Sequence, residues 1–451
     1  MTSVVKSTLT IMSFGLLLSS GTAQSKPYYL EIGTLGGAWS DVKGVSGDGG
    51  TVVGSSTTAA GKAHAFVWRL KAKMLDIGKS NPGGSIATAA SVKGTTVVGW
   101  ASPIDTSNTN SELPFYWRGE ALKFLTPLGG AGATGRAWGV SGNGGLIVGE
   151  STTSAGALHA TLWKTGGGAV DLGAPKPQSN SSAFAISEDG STVVGVLDLA
   201  QPLVWRVGGS TEMQTLPLPV GALGGFAMGV NVDGSIVAGT TYDGSVYQAV
   251  LWTRETGQWA VSFAQAHPVV PQGPNVGAAL YGADFYGVAG VAGNARAIGN
   301  GGSWPAEAVF ADVKGAAASW TDVNFIPGLT PNPQGRKPHL GVGISRNGSA
   351  IGGSSLAAPG LAPDSSRGYL IMGLPATPVP PSKNSPIHIS HEITCKAPCF
   401  SVPPFTKEQI EKVKQWAWGS DWQETEAKSP VPRLRLMIEG QLKARSPKTS
   451  H

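Results

Sequence analysis

The densest group of reactive side chains lies near the C-terminus, where HISHEITCKAPC carries His388, His391, Cys395 and Cys399. Two imidazoles and two thiolates suit a tetrahedral zinc or a copper ion. Structural zinc sites usually draw ligands from two separated knuckles, however, and here every spacing is local. The chain has no other cysteine. In an exported protein such a pair favours a disulfide, Cys395 with Cys399, over bound metal or free thiols. Elsewhere there is no GxSxG elbow, HExxH helix or phosphate-binding loop. No acidic pair recurs in fixed register, and no cofactor is expected. His64 and His159 stand at matching places, which points to a repeated structural role, each bonding a neighbouring turn. Trp68, Trp117, Trp163, Trp205 and Trp252 recur just as regularly, as expected of wedges packed between repeated units. Trp39, Trp100 and Trp304 fall outside that register, in or beside expected loops. Trp39 and Trp100 are the candidate ligand contacts.

The elements that must position these residues are written as a repeat. VSGDGGTVVG ends at Gly54, and related stretches end at Gly99, Gly149, Gly195, Gly239, Gly299 and Gly353, 44 to 60 residues apart. Each has apolar strands on either side of a tight turn. The Asp-Gly and Asn-Gly pairs supply the positive φ such turns need, so Asp48, Asn143, Asp189, Asp233 and Asn347 read as turn residues. A Trp-bearing strand follows, then an LDIG-like strand such as 75–78 or 170–173. Four short strands per unit, at a period near 45 residues, is the signature of a β-propeller blade. Seven copies of the first three strands occur. The last unit lacks its fourth strand, while YYLEIGTLGG at 28–37 is a fourth strand with no unit before it. The expected fold is therefore all-β: a seven-bladed propeller of four-stranded blades in which the N-terminal strand completes the last blade and hides two sheet edges.

The first unit, IGTLGGAWSDVKGVSGDGGTVVG…AHAFVW…MLDIG, resembles the HAF-type extracellular repeats of bacterial secreted proteins, and the likeness extends over roughly residues 28–375. It implies an exported, propeller-like protein and brings no catalytic residues with it.

Four segments are expected. Residues 1–23 read as a signal peptide: Lys6, a short apolar stretch from Leu9 to Leu18, and small residues before Ala23. Residues 24–375 form the propeller. Residues 376–404 are a Pro-rich linker with the Cys pair. Residues 405–451 hold a short helix, capped by Thr406 with Ile410, Val413 and Trp416 on one face, and a disordered basic tail. Residues 376–451 carry +4 of the net +5 charge, so the repeat region shows no nucleic-acid footprint. No segment of the mature chain is long and apolar enough to span a membrane as a helix. The expected product is a monomer, exported to the periplasm or beyond. Its expected function is a binding scaffold for carbohydrate or a surface protein, acting through the variable connections on one face. The alternative is a propeller enzyme, a hydrolase or lyase acting on glycans. Carboxylates, His or Arg from several blades at the channel mouth would favour the enzyme.

Overall fold

Every repeat folds as an antiparallel four-stranded sheet, and seven sheets close a ring around one axis. The computed structural model describes residues 26–81, 83–103, 112–176, 178–208, 211–244, 246–265, 282–302, 307–330, 332, 335–356, 366–381 and 393–395. In blade 1 the strands, from axis to rim, are a (Gly36–Val45), b (Thr51–Thr58), c (Ala63–Arg69) and d (Leu75–Asp76). The innermost strands of blades 2 to 7 are Ser85–Ala90, Gly135–Val140, Ser181–Ile186, Gly224–Val230, Gly282–Val291 and Lys337–Ile344. Blades 5 and 6 are joined through one extra backbone pairing, Tyr247 with Gly282. The outer strand of blade 7 is Tyr28–Ile32, paired antiparallel with Arg367–Met372 from Tyr28 opposite Met372 to Ile32 opposite Gly368. The chain thus closes its own ring, as the orphan strands predict.

The recurring glycine has a steric cause. Each of the seven inner strands carries a β-bulge at the same place, with Lys43, Thr88, Trp138, Phe184, Met228, Tyr286 or Val342 as the extra residue. The bulge drives an inner-strand carbonyl toward strand b. At Gly54, Gly99, Gly149, Gly195, Gly239, Gly299 and Gly353 a Cβ would enter the van der Waals envelope of that oxygen. Only glycine fits opposite the bulge, and the repeat therefore keeps it. All seven bulge residues are buried. Trp138, Phe184, Met228, Tyr286 and Val342 belong to one apolar cluster along the inside of the ring.

Two further devices hold blade to blade. Three of the recurring Trp side chains tie blades together: Trp163, Trp205 and Trp252 donate their indole N–H to the carbonyls of Thr126, Leu172 and Pro217 in the preceding blade, at 2.8, 3.0 and 2.6 Å, whereas Trp117 donates to Glu120 O of its own blade at 2.5 Å. Blades 6 and 7 use Phe310 and Ile371 at this place, both buried. The second device is the tight turn between strands a and b. In blade 1, the Asp48 carboxylate accepts from the Ser46 hydroxyl (2.6 Å) and the Gly50 amide (2.9 Å), and the Ser46 hydroxyl accepts from the Thr51 amide (2.9 Å). Asn143, Asp189, Asp233 and Asn347 act likewise in their own turns. Successive turns are also linked. Arg346 N–H donates to Gly47 O, Asp48 to Val92, Val92 to Gly142, Gly142 to Glu188 and Asp189 to Val232. The Asn231 side chain then reaches Gly290 O, and Arg296 reaches Gly348 O. These seven links form a complete circuit on one face.

One short strand lies beyond the ring. Within the expected linker 376–404, Ile393–Cys395 is a strand that adds in parallel to Thr211–Thr215, the outer strand of blade 4. Three residues of unremarkable composition pair only because an outer edge is there to receive them. The expected signal peptide at 1–23 and the expected helix in 405–451 lie outside the described residues.

Candidate functional site

The antiparallel order places the a–b and c–d turns on one face and the b–c and d–a connections on the other. On this loop face the longest b–c connections follow Ala101 in blade 2 and Leu356 in blade 7, and the longest d–a connection follows Gln265. Residues 104–111, 357–365 and 266–281 themselves lie outside the described residues. Their roots are well fixed. Ser102 N–H donates to Gly84 O at 3.0 Å, and Gly135 N–H to Glu112 O at 2.9 Å. The Glu112 carboxylate also pairs with Arg136 at 2.6 Å. At the other loop, Ser40 N–H donates to Ser366 O at 3.1 Å, and Arg367 donates to Ala38 O. The two long b–c connections thus rise on either side of blade 1, whose own b–c connection spans only residues 59–62.

Trp39 and Trp100 stand at these roots. Both belong to strands beside the loops: Trp39 to strand a of blade 1, Trp100 to strand b of blade 2 (Val97–Ala101). Both are half-buried. Trp39 N–H donates to the Thr57 hydroxyl at 3.0 Å, and its carbonyl accepts from Ser56 and Thr57. The Arg136 guanidinium lies 5.2 Å from the Trp100 ring centroid, and the Trp100 indole nitrogen is buried with no acceptor among the described residues. The structure sets the two tryptophans on neighbouring blades. Trp304 lies outside the described residues.

Ionisable groups do gather on the inner strands, but in the seams between blades. In four blades the residue after the signature glycine, on strand b, contacts the next blade, as Trp100 does through Arg136. Glu150 accepts from the Ser182 hydroxyl at 2.5 Å, Asn300 accepts from Gly341 N–H at 2.9 Å, and the Ser354 hydroxyl donates to Asp41 at 2.5 Å. Asp41 also pairs with Lys43 at 2.6 Å. Burial pushes the Glu150 carboxyl up to about 7, against the pull of Arg136. Burial likewise raises Asp284 to about 7, although Asn300 N–H and the Tyr286 hydroxyl donate to it. It lowers His339 to about 4 despite nearby Asp41. Glu150, Asp284 and Arg136 are at most 3% exposed. Glu150 and Arg136 contact a neighbouring blade, whereas Asp284 ties strands a and b of its own blade 6.

His64 and His159 each bond an aspartate of strand d in the same blade, Asp76 at 2.8 Å and Asp171 at 2.9 Å, rather than a neighbouring turn. The carboxylates in turn accept from Gly78 and Gly173 amides. The repeated histidine is therefore a clasp between the ends of strands c and d. Among the described residues no group of three or more His, Cys, Asp or Glu side chains is arranged to hold a metal ion. His388, His391 and Cys399 lie outside the described residues, and Cys395 ends the short added strand.

On the turn face, the ring of turns surrounds an axial well of about 160 Å³. Its wall is mixed: aliphatic side chains of the inner strands, including Val45, Val140, Val230, Val288 and Ile344, alternate with glycine backbone, Lys43 and Thr88. At its mouth Glu188 of blade 4 meets Arg346 of blade 7 at 3.6 Å. Sequence reasoning passed over this pair, although a signal was present: the equivalent turn positions hold Gly47, Val92, Gly142 and Val232, and only these two repeats carry a long charged side chain there.

No family model matches the chain, and no curated protein matches it. Solved structures do resemble it. One is from a study of two prolyl endopeptidases, at 12% identity and TM-score 0.44, covering 70% of this chain and 46% of that one. An oligogalacturonate lyase from Vibrio parahaemolyticus matches at 10% identity and TM-score 0.44, covering 76% and 93%. TolB from Acinetobacter baumannii matches at 10% identity and TM-score 0.38, covering 61% and 67%. At these scores the architecture rests on its own strand pairing. That pairing defines a seven-bladed β-propeller. Among the described residues no helix is long and apolar enough to cross a membrane.

Proposed function

We propose that the protein is an exported binding scaffold that recognises a carbohydrate or a surface protein on its loop face, in the sector of blades 7, 1 and 2. The observation that carries this reading is the pair of long b–c connections rooted on either side of blade 1, with the half-buried Trp39 and Trp100 at their bases. Long connections on a rigid ring are where recognition sites are usually built. Half-exposed aromatic rings suit both sugar faces and protein hot spots. The burial of Glu150, Asp284, Arg136 and His339 supports binding over glycan hydrolysis or lysis. The apolar stretch at 9–18 and the resemblance to HAF-type repeats support export to the periplasm or beyond.

The test is a panel of glycans and surface-protein extracts offered to the purified protein, with and without divalent metal, followed by product analysis. The expected result is saturable binding without turnover. Replacing 104–111 by a short Gly-Ser linker should weaken that binding at least about tenfold, as loss of a hot-spot contact does. Unaltered binding by the shortened variant, or cleaved product from the parent, would overturn the reading.

A further inference from the structure

The axial well on the turn face has the chemistry of a small-molecule site, separate from the loop face. Aliphatic side chains line its wall between stretches of glycine backbone, with Lys43 and Thr88 among them, and Glu188 and Arg346 from different blades meet at its mouth. In the repeat these two positions depart from the pattern, and the departures meet. Room for them is provided: a Cβ on Gly47 would strike the Glu188 carboxylate, and one on Gly142 would press on the Glu188 Cβ. Glu188 therefore reaches across the mouth over small neighbours. The backbones that carry both residues are fixed, since Arg346 N–H and Glu188 O are links of the turn circuit. The ion pair itself is loose, at 3.6 Å, with side chains 32% and 20% exposed. A pair of this kind contributes little stability and can be exchanged for other partners.

We infer that the well binds a free apolar α-amino acid, with the ammonium group on Glu188, the carboxylate on Arg346 and the side chain in the well. A zwitterion replaces one loose ion pair by two charge-assisted contacts, and the guanidinium suits a carboxylate bidentately. The two charges of an α-amino acid are separated by one carbon, which matches an acid and a base a few ångströms apart. The aliphatic side chains of the wall favour an apolar side chain, because burying it against them removes apolar surface from water.

Calorimetric titration of the full chain with L-valine, L-leucine, L-phenylalanine and glycine tests this, with leucinamide and 4-methylpentanoate as probes of each charge. Expected is saturable binding of at least one apolar amino acid, with glycine and both single-charge probes at least about tenfold weaker, the factor that a charged hydrogen bond represents. Glu188→Gln and Arg346→Gln should each reproduce that loss, and Val140→Phe should remove binding by filling the well. Circular dichroism of the three variants separates lost binding from lost fold. No saturable binding up to about 10 mM, the weak limit of specific affinity, overturns the inference. So does binding that a folded Glu188→Gln or Arg346→Gln variant retains in full. Neither result bears on the loop face.

Discussion

At the scale of single residues the signature glycines are the most demanding positions in the chain. Gly149→Ala puts a methyl group against the Arg136 carbonyl and should cost roughly 3 kcal/mol or more, in the range reserved for core strain. Gly168→Ala has open space around it and should stay within about 0.5 kcal/mol. Urea denaturation of both variants checks the contrast. Buried ionisable groups give a second expectation. Glu150 and Asp284 hold their protons more tightly folded than unfolded, with folded values of about 7. Their contribution to stability is complete below their unfolded pKa values and is lost as pH rises through about 7. His339, held at about 4, acts in the opposite sense, and its contribution falls away as pH drops from about 6.5 to about 4. With two groups against one, melting temperature should fall between pH 5 and pH 7.5. Glu150→Gln should flatten that slope, and His339→Gln should steepen it.

At the scale of strands, closure and wedging can be tested separately. Deleting residues 24–36 removes the strand that pairs with Arg367–Met372 and exposes an edge on blade 7. The whole propeller should lose cooperativity, and a variant that melts like the parent would contradict closure by this strand. Trp205→Phe keeps most of the packing but leaves Leu172 O without its indole donor, for an expected loss of about 1 to 2 kcal/mol. Trp205→Ala should cost about 3 to 5 kcal/mol. Much of this level was legible in the sequence. Asp48 and its equivalents declare the turns, and the unmatched YYLEI declares the closure, because every blade meets the same steric demands with the same residue types. The bulge was not legible, since its extra residue ranges from Lys43 to Trp138 and only the glycine opposite betrays it. The strand at Ile393–Cys395 was not legible either: a three-residue parallel addition depends on the edge that receives it. Only part of the candidate loop-root site had a sequence signal. Trp39 and Trp100 stood out by register, but the Arg136 and Glu112 partners are set by ring geometry that local spacing does not encode.

At the scale of the whole molecule, the ring divides its labour between two faces. Connections on the turn face are all short, and those longer than six residues occur only on the other face. Trp100→Ala is a poor probe of that second face, because the ring stacks on buried Arg136 and its loss should lower the melting temperature as well as binding. Trp39→Ala should weaken binding with a smaller thermal cost, which parallel melting and binding measurements would show. Closure by the first strand also orders events in time. Tyr28 cannot meet Met372 until nearly the entire chain has been made and delivered. Joining ends some 340 residues apart carries an entropic cost of about 5 kcal/mol, growing only with the logarithm of the loop. Six blades can assemble from neighbours close in sequence, but the seventh waits with an open edge. Refolding from denaturant should therefore show early strand formation followed by a slow final phase. Any quality control acting on this protein would have to hold that one edge apart from other chains until the first strand returns.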